Sequence, residues 1–479
     1  MRTTVCALCL LALVGCRGER DKKQSPQDER EAQQEATVDQ TPSNDPEAKY
    51  TDYGPGAAAR PAERPQARPW PGGPARPTKR QLEFMGYELG MFIHFGLNTF
   101  TRQQHGDGKK PPSRFNPTGV DCDQWIRVAK SMGAKYVVFT ARHEGGFCLW
   151  PTKTTDYSIA HSPWKDGRGD LVREFVDACR KGGLKVCFYH SSSFDSHHLK
   201  VRKLASDEFL KMQVEQLTEL LTDYGPVDYL WFDHHQGGEF WRRIDGAVAA
   251  LQPDCLRFGP DVWIIGGHTG IAPETLWYVA DTADGTMTSR PTTEAGEPWG
   301  AYFRAWEANT TGNGPWFWAG ARVSKAEPLG AVVKKYYESV GRGANLLLNF
   351  APDRRGVIPD DAVSLAGRFG DEIRRRFAAP IARTEGPGPT VTLDLPGPTA
   401  IDHVVVMEDL AGGQKIAAHR IEALVGGRWR TISEGATVGH KRIHRFPAVT
   451  AEKVRLRCLQ SIGEPVEVRS LSAYCAERP

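Results

Sequence analysis

Residues 227–235 constrain the fold more than any other stretch of the chain. They read Val-Asp-Tyr-Leu-Trp-Phe-Asp-His-His, an apolar run that ends in an acid and two histidines. Such a run indicates a buried strand whose far end carries polar chemistry. A helical pattern over residues 207–224 precedes it, and Gly225-Pro226 ends that helix. Helix followed by strand is half of a βα repeat, so Asp233 is predicted to follow a parallel strand.

Three earlier apolar runs end in the same way. Residues 90–96, 136–147 and 185–191 contain His94, His143 and His190 at their polar ends. Amphipathic helical patterns separate the runs and stop at glycines, as at Gly133. Alternation of strands and helices predicts a parallel sheet, here closed into a barrel. Because catalytic residues of such barrels come from the carboxyl ends of the strands, the three histidines and Asp233 are predicted to meet at one mouth.

The rest of the chain divides into the second half of the barrel, where the strand–helix alternation is weaker, and an all-β C-terminal region. We predict strands at residues 256–259, 275–279, 316–319 and 344–350, followed by a closing helix at 360–377. After residue 390 the apolar period changes to two and the runs are separated by Gly and Pro, which is typical of an antiparallel β-sandwich. The predicted fold is α/β: a (β/α)8-like (TIM-type) catalytic barrel over 79–378, then a β-sandwich over 386–479.

The first 78 residues predict export and attachment to a membrane. An apolar run over residues 5–14 is too short to span a bilayer, and Leu13-Val14-Gly15-Cys16 resembles a bacterial lipobox. Residues 1–16 are therefore predicted to be a lipoprotein signal peptide with Cys16 as the lipidated residue; an ordinary secretory signal is the alternative. Residues 17–78, rich in Gln, Glu, Pro, Ala and Arg, are predicted to be a disordered linker. The protein is expected to be lipid-anchored to a bacterial membrane, in the periplasm or at the cell surface.

Charge and cysteine usage exclude several classes of protein. The formal net charge of the 479-residue chain is only +3, and no Lys/Arg cluster is interleaved with aromatic residues, so nucleic-acid binding is not expected. The cysteines beyond Cys16 have no metal-type spacing and are expected to be mostly small core residues. A disulfide between Cys458 and Cys475 is the pairing left open for an exported protein. No cofactor is expected.

Histidines and carboxylates at a barrel mouth suit metal-assisted hydrolysis or glycoside hydrolysis. Metal-dependent hydrolase barrels usually begin with two histidines one residue apart on the first strand, whereas His94 is followed by Phe95-Gly96. Alternate strand residues face opposite sides, so Asp233 and the two histidines after it would share a metal only at a bend. No metal is expected. A glycosidase needs two carboxyl groups, hydroxyl-binding donors and an aromatic floor, and the chain supplies residues of each kind.

Several blocks in the barrel region carry a family resemblance. They include Ile93-His94-Phe95-Gly96-Leu97, Arg142-His143-Glu144-Gly145-Gly146-Phe147, Thr155-Asp156-Tyr157-Ser158 and Leu230-Trp231-Phe232-Asp233. In order and type, over residues 82–377, these blocks resemble those of the family 29 α-L-fucosidases. Residues 421–425 and 432–443 resemble the discoidin-like C-terminal domain of the same family.

The resemblance implies a retaining glycosidase that uses no metal. Asp233 matches the family nucleophile, and His94 and His143 match histidines that bind the fucose hydroxyls. In one branch of the family the acid/base is a glutamate shortly before a Trp-Phe pair. Glu307, followed by Trp316-Phe317, matches that placement and is predicted to be the acid/base, with Trp316 beside the sugar.

Three departures from the family pattern bear on the sugar that is recognised. Glu144 replaces a hydroxyl-binding histidine and is the rival for the acid/base role. His190 stands where a tyrosine commonly ends the third strand, and His234 replaces the small residue after the nucleophile. All three are expected to line the substrate site. The predicted function is an exo-acting α-L-fucosidase acting on fucosylated glycans. The alternatives are a retaining glycosidase with altered sugar specificity and a catalytically silent carbohydrate-binding barrel.

Overall fold

The computed structural model describes residues 75–233, 238–259, 264–280, 294–296, 300 and 302–477. The predictions for Cys16, for the signal peptide, for most of the linker and for His234 lie outside these residues. Within them, no helix combines the length and the apolar character that crossing a bilayer requires.

The first part of the chain forms a closed barrel of eight parallel strands, as predicted. Around the barrel the strands follow the order β1-β2-β3-β4-β5-β6-β11-β12, and β12 pairs with β1. Four short strands, β7 to β10, form two small two-stranded sheets outside the barrel. The strands are β1 Leu89–Ile93, β2 Tyr136–Arg142, β3 Lys185–His190, β4 Tyr229–Phe232, β5 Leu256–Phe258, β6 Ile264–Gly267, β7 Thr275–Leu276, β8 Val279–Ala280, β9 Glu294–Ala295, β10 Tyr302–Phe303, β11 Ala305–Thr311 and β12 Asn345–Asn349.

Helices surround the barrel and start and stop at the residues that the sequence marks. Asp121 and Asp170 cap two of them by accepting backbone N–H bonds of 2.7 and 2.9 Å, and Gly133 and Gly183 end the same helices in the left-handed conformation. The helices are α1 Lys79–Met85, α2 Leu97–Thr101, α3 Cys122–Met132, α4 Leu171–Gly182, α5 Ser206–Thr222, α6 Gly238–Leu251, α7 Leu329–Glu338 and α8 Asp360–Phe377. Short 3₁₀ turns lie at Pro112–Arg114, Ile159–His161, Trp164–Gly167 and Val340–Arg342, and a π-helical turn at Ser196–Val201.

Two barrel strands differ from the prediction. Residues 275–279 and 316–319 were expected in the barrel, but the barrel uses β6 and β11 instead. Neither strand shows a long apolar run: β6 ends in Gly266-Gly267, and β11 carries Glu307 and Asn309. A side chain at position 266 would collide with the backbone, because a Cβ there would lie 1.7 Å from the carbonyl oxygen of Glu307. The close approach of β6 and β11 requires glycine in β6, and the barrel interior holds polar residues of β11. Neither segment therefore shows the apolar run from which a strand is predicted.

The C-terminal part is an antiparallel six-stranded sheet in the order β13-β18-β14-β17-β15-β16. The pairing between its two long strands, β14 and β17, shifts register along its length. The sheet has a hydrophobic core of its own, which includes Ile401, Ile421 and Leu471. No disulfide joins Cys458 to Cys475, so the pairing that the sequence left open is not formed. The strands are β13 Ala382–Pro387, β14 Thr390–Glu408, β15 Ile416–Val425, β16 Arg428–Gly435, β17 Arg442–Ser461 and β18 Glu467–Tyr474.

Loops of the C-terminal sheet hold the barrel segment that follows β6. The side chain of Gln414 accepts a bond from the Tyr278 N–H at 3.0 Å and donates to the Leu276 carbonyl at 2.8 Å. The hydroxyl of Thr437 accepts a bond from the Leu276 N–H at 3.1 Å. On the other side, Glu88 pairs with Lys441. The sheet is therefore packed against the barrel wall that carries β6.

Candidate active site

Asp233 lies at the carboxyl end of β4, where the sequence predicted it. The residue is 9% exposed, and the hydroxyl of Tyr189 donates a hydrogen bond of 2.7 Å to its Oδ2. The Tyr189 ring is stacked between His143 and Trp231, with ring centroids 5.0 and 5.3 Å away. Burial, with the charge of Asp233 as the next cause, raises the pKa of Tyr189 well above its usual value. Tyr189 therefore stays protonated and fixes one carboxylate oxygen.

His94 follows β1 and lies on the other side of the same mouth. Its Nδ1 is 2.9 Å from Oδ1 of Asn349, and the amide nitrogen of Asn349 donates to the Trp316 carbonyl at 2.9 Å. The amide is therefore oriented so that Nδ1 of His94 carries the hydrogen. Burial, with the charge of His143 as the next cause, lowers the pKa of His94 well below its usual value. His94 is a neutral imidazole whose Nε2 is an acceptor for a hydroxyl group.

An aromatic surface closes the mouth beside the two histidines. The ring of Trp316 lies 5.0 Å from that of His94, and the residue is half-buried. Phe317 meets His94 and His143 edge-on at 5.3 and 4.9 Å. Residues 316–319 are thus not a strand but a loop that places Trp316 and Phe317 against the histidines. Such a surface suits the apolar face of a sugar ring.

Glu144 lies in the loop after β2, next to His143. It is 7% exposed, and Nδ1 of His105 is 3.2 Å from its Oε2. Its charge acts on both His94 and Tyr189. The structure therefore places Glu144 at the edge of the mouth, where its carboxylate contacts His105.

The structure corrects the expected position of His190. This residue is fully buried, its Nδ1 lies 2.7 Å from the Ser192 hydroxyl, and its ring is 6.4 Å from that of Trp150. Side chains alternate along a strand, so His190 points away from the barrel interior because Tyr189 points into it. The tyrosine expected at the end of the third strand is thus present as Tyr189. In the sequence, Tyr189 can be identified from the alternation of side chains along β3. The last residue of the apolar run, His190, points the other way.

Glu307 lies deeper in the barrel than the sequence comparison implied. Its carboxylate accepts hydrogen bonds from the Tyr136 hydroxyl at 2.7 Å, the Trp231 indole at 2.9 Å and the Tyr229 hydroxyl at 3.3 Å. Tyr136 and Tyr229 are the first residues of β2 and β4, so the carboxylate lies toward the amino-terminal side of the barrel interior. Burial raises the pKa of Glu307 to about 7, and the three donors oppose that shift.

The two predicted catalytic carboxyl groups therefore occupy different layers. Asp233 lies two residues beyond Trp231 on β4, whereas Glu307 lies beneath the indole of Trp231 and is 0% exposed. The order of residues along the chain placed Glu307 shortly before Trp316 but could not give its depth. Trp231 therefore lies between Glu307 and the mouth, and the predicted pairing of Glu307 with Asp233 as the two catalytic carboxyl groups stays a prediction.

His268 is a mouth residue that the sequence analysis did not identify. It directly follows β6, is half-buried, and has its Nδ1 2.5 Å from Oδ1 of Asn309. Its ring lies 5.6 Å from Trp316 and 5.9 Å from Trp231. The available signal was a polar residue after a short apolar and glycine run, the same pattern that marked Asp233. It was missed because residues 264–267 were not predicted to form a strand.

The described residues hold no group of three or more His, Cys, Asp or Glu side chains arranged to bind a metal ion.

Comparisons with known proteins give one consistent family. Residues 109–374 match the family model described as alpha-L-fucosidase. The chain is 30% identical over 445 residues to Alpha-L-fucosidase 1 of Arabidopsis thaliana, which covers 83% of this chain and 86% of that protein. A glycoside hydrolase 29 family member from an unknown rumen bacterium superposes with a TM-score of 0.78 at 32% identity, covering 85% of this chain and 78% of that one. A Ruminococcus gnavus family 29 fucosidase in complex with fucose shares the fold, with a TM-score of 0.75 at 22% identity over 84% of this chain and 96% of that one.

Proposed function

The chain belongs to the α-L-fucosidase family of retaining glycoside hydrolases, and we propose that it releases terminal α-L-fucosyl residues from fucosylated glycans with Asp233 as the nucleophile. The observation that carries this proposal is the hydrogen bond of 2.7 Å from Tyr189 to Asp233 at the carboxyl end of β4. It places an oriented carboxylate at the barrel face where catalytic residues collect. The neutral imidazole of His94, the ring of His143 and an aromatic surface border the same position.

The first chemical step follows from this arrangement. The hydroxyl groups of the fucose ring bond to His94 and His143, while Trp316 packs on its apolar face. Binding in this pose brings the anomeric carbon to Asp233, whose carboxylate displaces the glycosidic oxygen and forms a β-linked fucosyl-enzyme. Tyr189 holds the Oδ2 oxygen of Asp233 at 2.7 Å, so the carboxylate does not have to reorient during attack. Water then cleaves the intermediate and restores the α configuration.

The acid/base role assigned to Glu307 stays a prediction, and its surroundings favour a different one. Each hydrogen bond to its carboxylate in the described chain comes from Tyr136, Tyr229 or Trp231. A proton donor to the glycosidic oxygen must come within about 3 Å of that oxygen. Glu307 instead fixes Trp231, which supports the Tyr189 ring beside Asp233. We propose that Glu307 positions the floor of the site.

Glu144 is the observation that favours a second function, a retaining glycosidase with altered sugar preference. A carboxylate next to His143 accepts hydrogen bonds where a histidine could also donate them. Sugars that place a hydroxyl donor at this point would gain a charge-assisted bond. This alternative keeps Asp233 as the nucleophile and changes only the hydroxyl pattern that the mouth selects. By contrast, no specific feature in the described part of the mouth favours the silent carbohydrate-binding barrel.

We also propose that the protein is exported and held at a bacterial membrane by a lipid on Cys16. The support is the sequence Leu13-Val14-Gly15-Cys16 and the linker composition that follows. At roughly 5–6 Å times the square root of its length, a flexible linker of about 60 residues would keep the barrel some 40 Å from the bilayer. That distance leaves room for a bulky glycan.

The substrate proposal is tested with three aryl glycosides and the purified protein. We expect turnover of an aryl α-L-fucoside, with α-L-fucose as the first product seen by NMR. An aryl α-galactoside and an aryl β-fucoside are the controls for ring substituents and anomeric configuration. Preferential cleavage of the α-galactoside would favour the altered sugar preference, and no cleavage of any of them by the folded protein would favour the silent barrel.

A further inference from the structure

The aromatic surface of the mouth is carried by a long loop. Residues 312–328 connect β11 to α7 and contain no helix or strand, and Trp316 and Phe317 lie within them. The two rings nevertheless hold defined positions, 4.9–5.3 Å from the rings of His94 and His143. A segment outside regular structure has no ladder of backbone hydrogen bonds, so its polar groups need side-chain partners. The loop must therefore be fixed by side chains from other elements.

The backbone of Trp316 is held by Asn349, the last residue of β12. The amide nitrogen of Asn349 donates to the Trp316 carbonyl at 2.9 Å, and its Oδ1 lies 2.9 Å from Nδ1 of His94. Asn349 is fully buried within the barrel. A side chain fixed by the barrel thus ties Trp316 to the histidine on which its ring packs.

The backbone of the next residue, Phe317, is held by Gln104 in the loop after β1. The side-chain nitrogen of Gln104 donates to the Phe317 carbonyl at 3.1 Å, and its side-chain oxygen accepts from the Phe317 N–H at 2.9 Å. This is the pair of bonds that a residue of an adjacent antiparallel strand would make. One side chain therefore satisfies both backbone groups of Phe317, whose own side chain is 1% exposed.

Gln104 is itself fixed by the turn that follows α2. Arg102 ends that helix in the left-handed conformation, with a φ of 56°, and the buried amide of Asn98 donates to the Gln104 carbonyl at 2.9 Å. The residue after Gln104 is His105, whose Nδ1 lies 3.2 Å from the carboxylate of Glu144. The turn therefore contacts the aromatic loop on one side and the loop after β2 on the other. Its own contacts hold Gln104 in place.

We propose that Gln104 is a positioning residue of the sugar site, an inference that rests on the proposed function. Gln104 acts through the loop, because both polar atoms of its amide bond to Phe317. By fixing Phe317 it also fixes Trp316, the ring proposed to pack on the apolar face of the sugar. That packing is made in the bound substrate as well as in the transition state. Loss of Gln104 should therefore weaken binding and leave the chemical step nearly unchanged.

The kinetic test uses Gln104→Leu, which removes both hydrogen bonds and keeps a side chain of similar volume. We expect KM for an aryl α-L-fucoside to rise by about 5- to 100-fold, with kcat within about 3-fold of native, because two neutral hydrogen bonds are lost. Gln104→Glu is the second variant: its ionised carboxylate accepts from the Phe317 N–H but has no hydrogen for the carbonyl, so KM should change in the same direction.

Gln124→Leu is the matched control for the kinetic test. Gln124 makes the same pair of bonds to the backbone of Ile358, at 2.8 and 3.0 Å, from α3 in the helical layer around the barrel. Loss of these bonds should lower the melting temperature and leave KM unchanged. An equal rise in KM in Gln104→Leu and Gln124→Leu would show that Gln104 acts only through the stability of the fold.

Hydrogen exchange measures the position of the loop without reference to turnover. We expect the peptide that contains residues 316–319 to exchange at least about 10-fold faster in Gln104→Leu than in the native protein. Gln103→Leu is the control in the same loop, since the amide of Gln103 donates to Asp107 at 3.0 Å and the variant should exchange at the native rate.

The two measurements separate this inference from the function on which it rests. Unchanged exchange in both Gln104 variants would overturn the hold on Phe317, and faster exchange with an unchanged KM would overturn the role in the sugar site. If the native enzyme cleaves no aryl α-L-fucoside, the proposed function fails. The affinity for L-fucose, measured by calorimetry in the native protein and in Gln104→Leu, then decides the inference: weaker binding in the variant supports it, and equal binding or no binding to either protein overturns it.

Discussion

The indole nitrogen of Trp231 donates a hydrogen bond of 2.9 Å to Oε1 of Glu307, so the buried carboxyl group of the barrel is attached to the floor of the mouth. The same indole ring stacks on Tyr189, which holds Asp233. A chain of three contacts therefore connects the buried carboxyl group of Glu307 to the proposed nucleophile. It explains how a residue that never touches the sugar can still influence the site.

Glu307 should make the stability of the protein depend on pH. Burial raises its pKa from 4.5 to about 7, so the unfolded chain loses this proton before the folded one. Stability from this group is fully present below pH 4.5 and is lost as the pH rises through about 7. The loss is on the order of 3 kcal/mol. We expect Glu307→Gln to flatten the fall in unfolding free energy between pH 5 and pH 8, measured by urea denaturation.

Glu408 provides the matched control for that experiment. It is also buried, and burial raises its pKa to about 7 against three backbone N–H donors in the C-terminal sheet. Glu408→Gln should flatten the stability profile to a similar degree while leaving the KM for an aryl fucoside unchanged. Glu307→Gln should raise that KM, because the amide offers one acceptor oxygen to three donors, Trp231 among them, where the carboxylate offers two. Equal KM values in the two variants would contradict the coupling between Glu307 and the mouth.

Tyr189→Phe removes the hydroxyl that orients Asp233 and retains the ring that packs on His143. The loss of one hydrogen bond to a charged group should cost about 1.5–3 kcal/mol, or roughly a 10- to 150-fold fall in kcat. Steady-state kinetics on an aryl α-L-fucoside measure it. Tyr224→Phe is the control, because Tyr224 donates to Asp170 at 2.8 Å in another part of the barrel. That variant should lose stability but keep its kcat; a similar kcat loss in both variants would show that Tyr189 acts only through folding.

His94→Gln and His190→Gln should behave differently, although both residues are buried histidines at strand ends. His94 faces the mouth, so its loss should lower kcat/KM by about 5- to 150-fold. His190 bonds to Ser192 behind the strand, so its loss should lower the melting temperature and leave KM unchanged. A KM effect from His190→Gln would contradict the outward orientation found here. EDTA should leave the native activity intact, because the proposed role of His94 is to accept a hydrogen bond from a sugar hydroxyl, which needs no metal ion.

Cys16→Ala should release the protein from membranes or change its processing. Thiol lipidation at this residue is the proposed anchor, so intact-mass measurement and membrane fractionation in a bacterial host check it directly. Leu13→Asp offers a second variant that disturbs the lipobox and leaves the cysteine in place. Unchanged mass and unchanged membrane association in both variants would refute the lipoprotein proposal.

The sequence was sufficient for the barrel, for the C-terminal sheet and for the position of Asp233, because those features depend on apolar runs and their polar ends. It was insufficient where side-chain direction or depth decides the outcome. His190 and Tyr189 are neighbours on β3, and only the strand's orientation tells which of them faces the site. Glu307 and Asn309 lie two residues apart on β11, yet one lies beneath Trp231 and the other contacts His268 at the mouth. The depth of a side chain inside the barrel depends on the register between neighbouring strands, which no single stretch of sequence encodes.

The identity of the nucleophile is tested most directly by trapping the fucosyl-enzyme. A 2-deoxy-2-fluoro-L-fucosyl fluoride of the α configuration slows both steps and makes the intermediate long-lived, because the electron-withdrawing fluorine destabilises the oxocarbenium-like transition states. After peptic digestion, tandem mass spectrometry should place the fluorofucosyl group on the Asp233 carboxylate. The label should be absent from Asp233→Asn treated in the same way. A label on Glu144 or Glu307, or an enzyme inactivated with no covalent label at all, would contradict the assignment of Asp233.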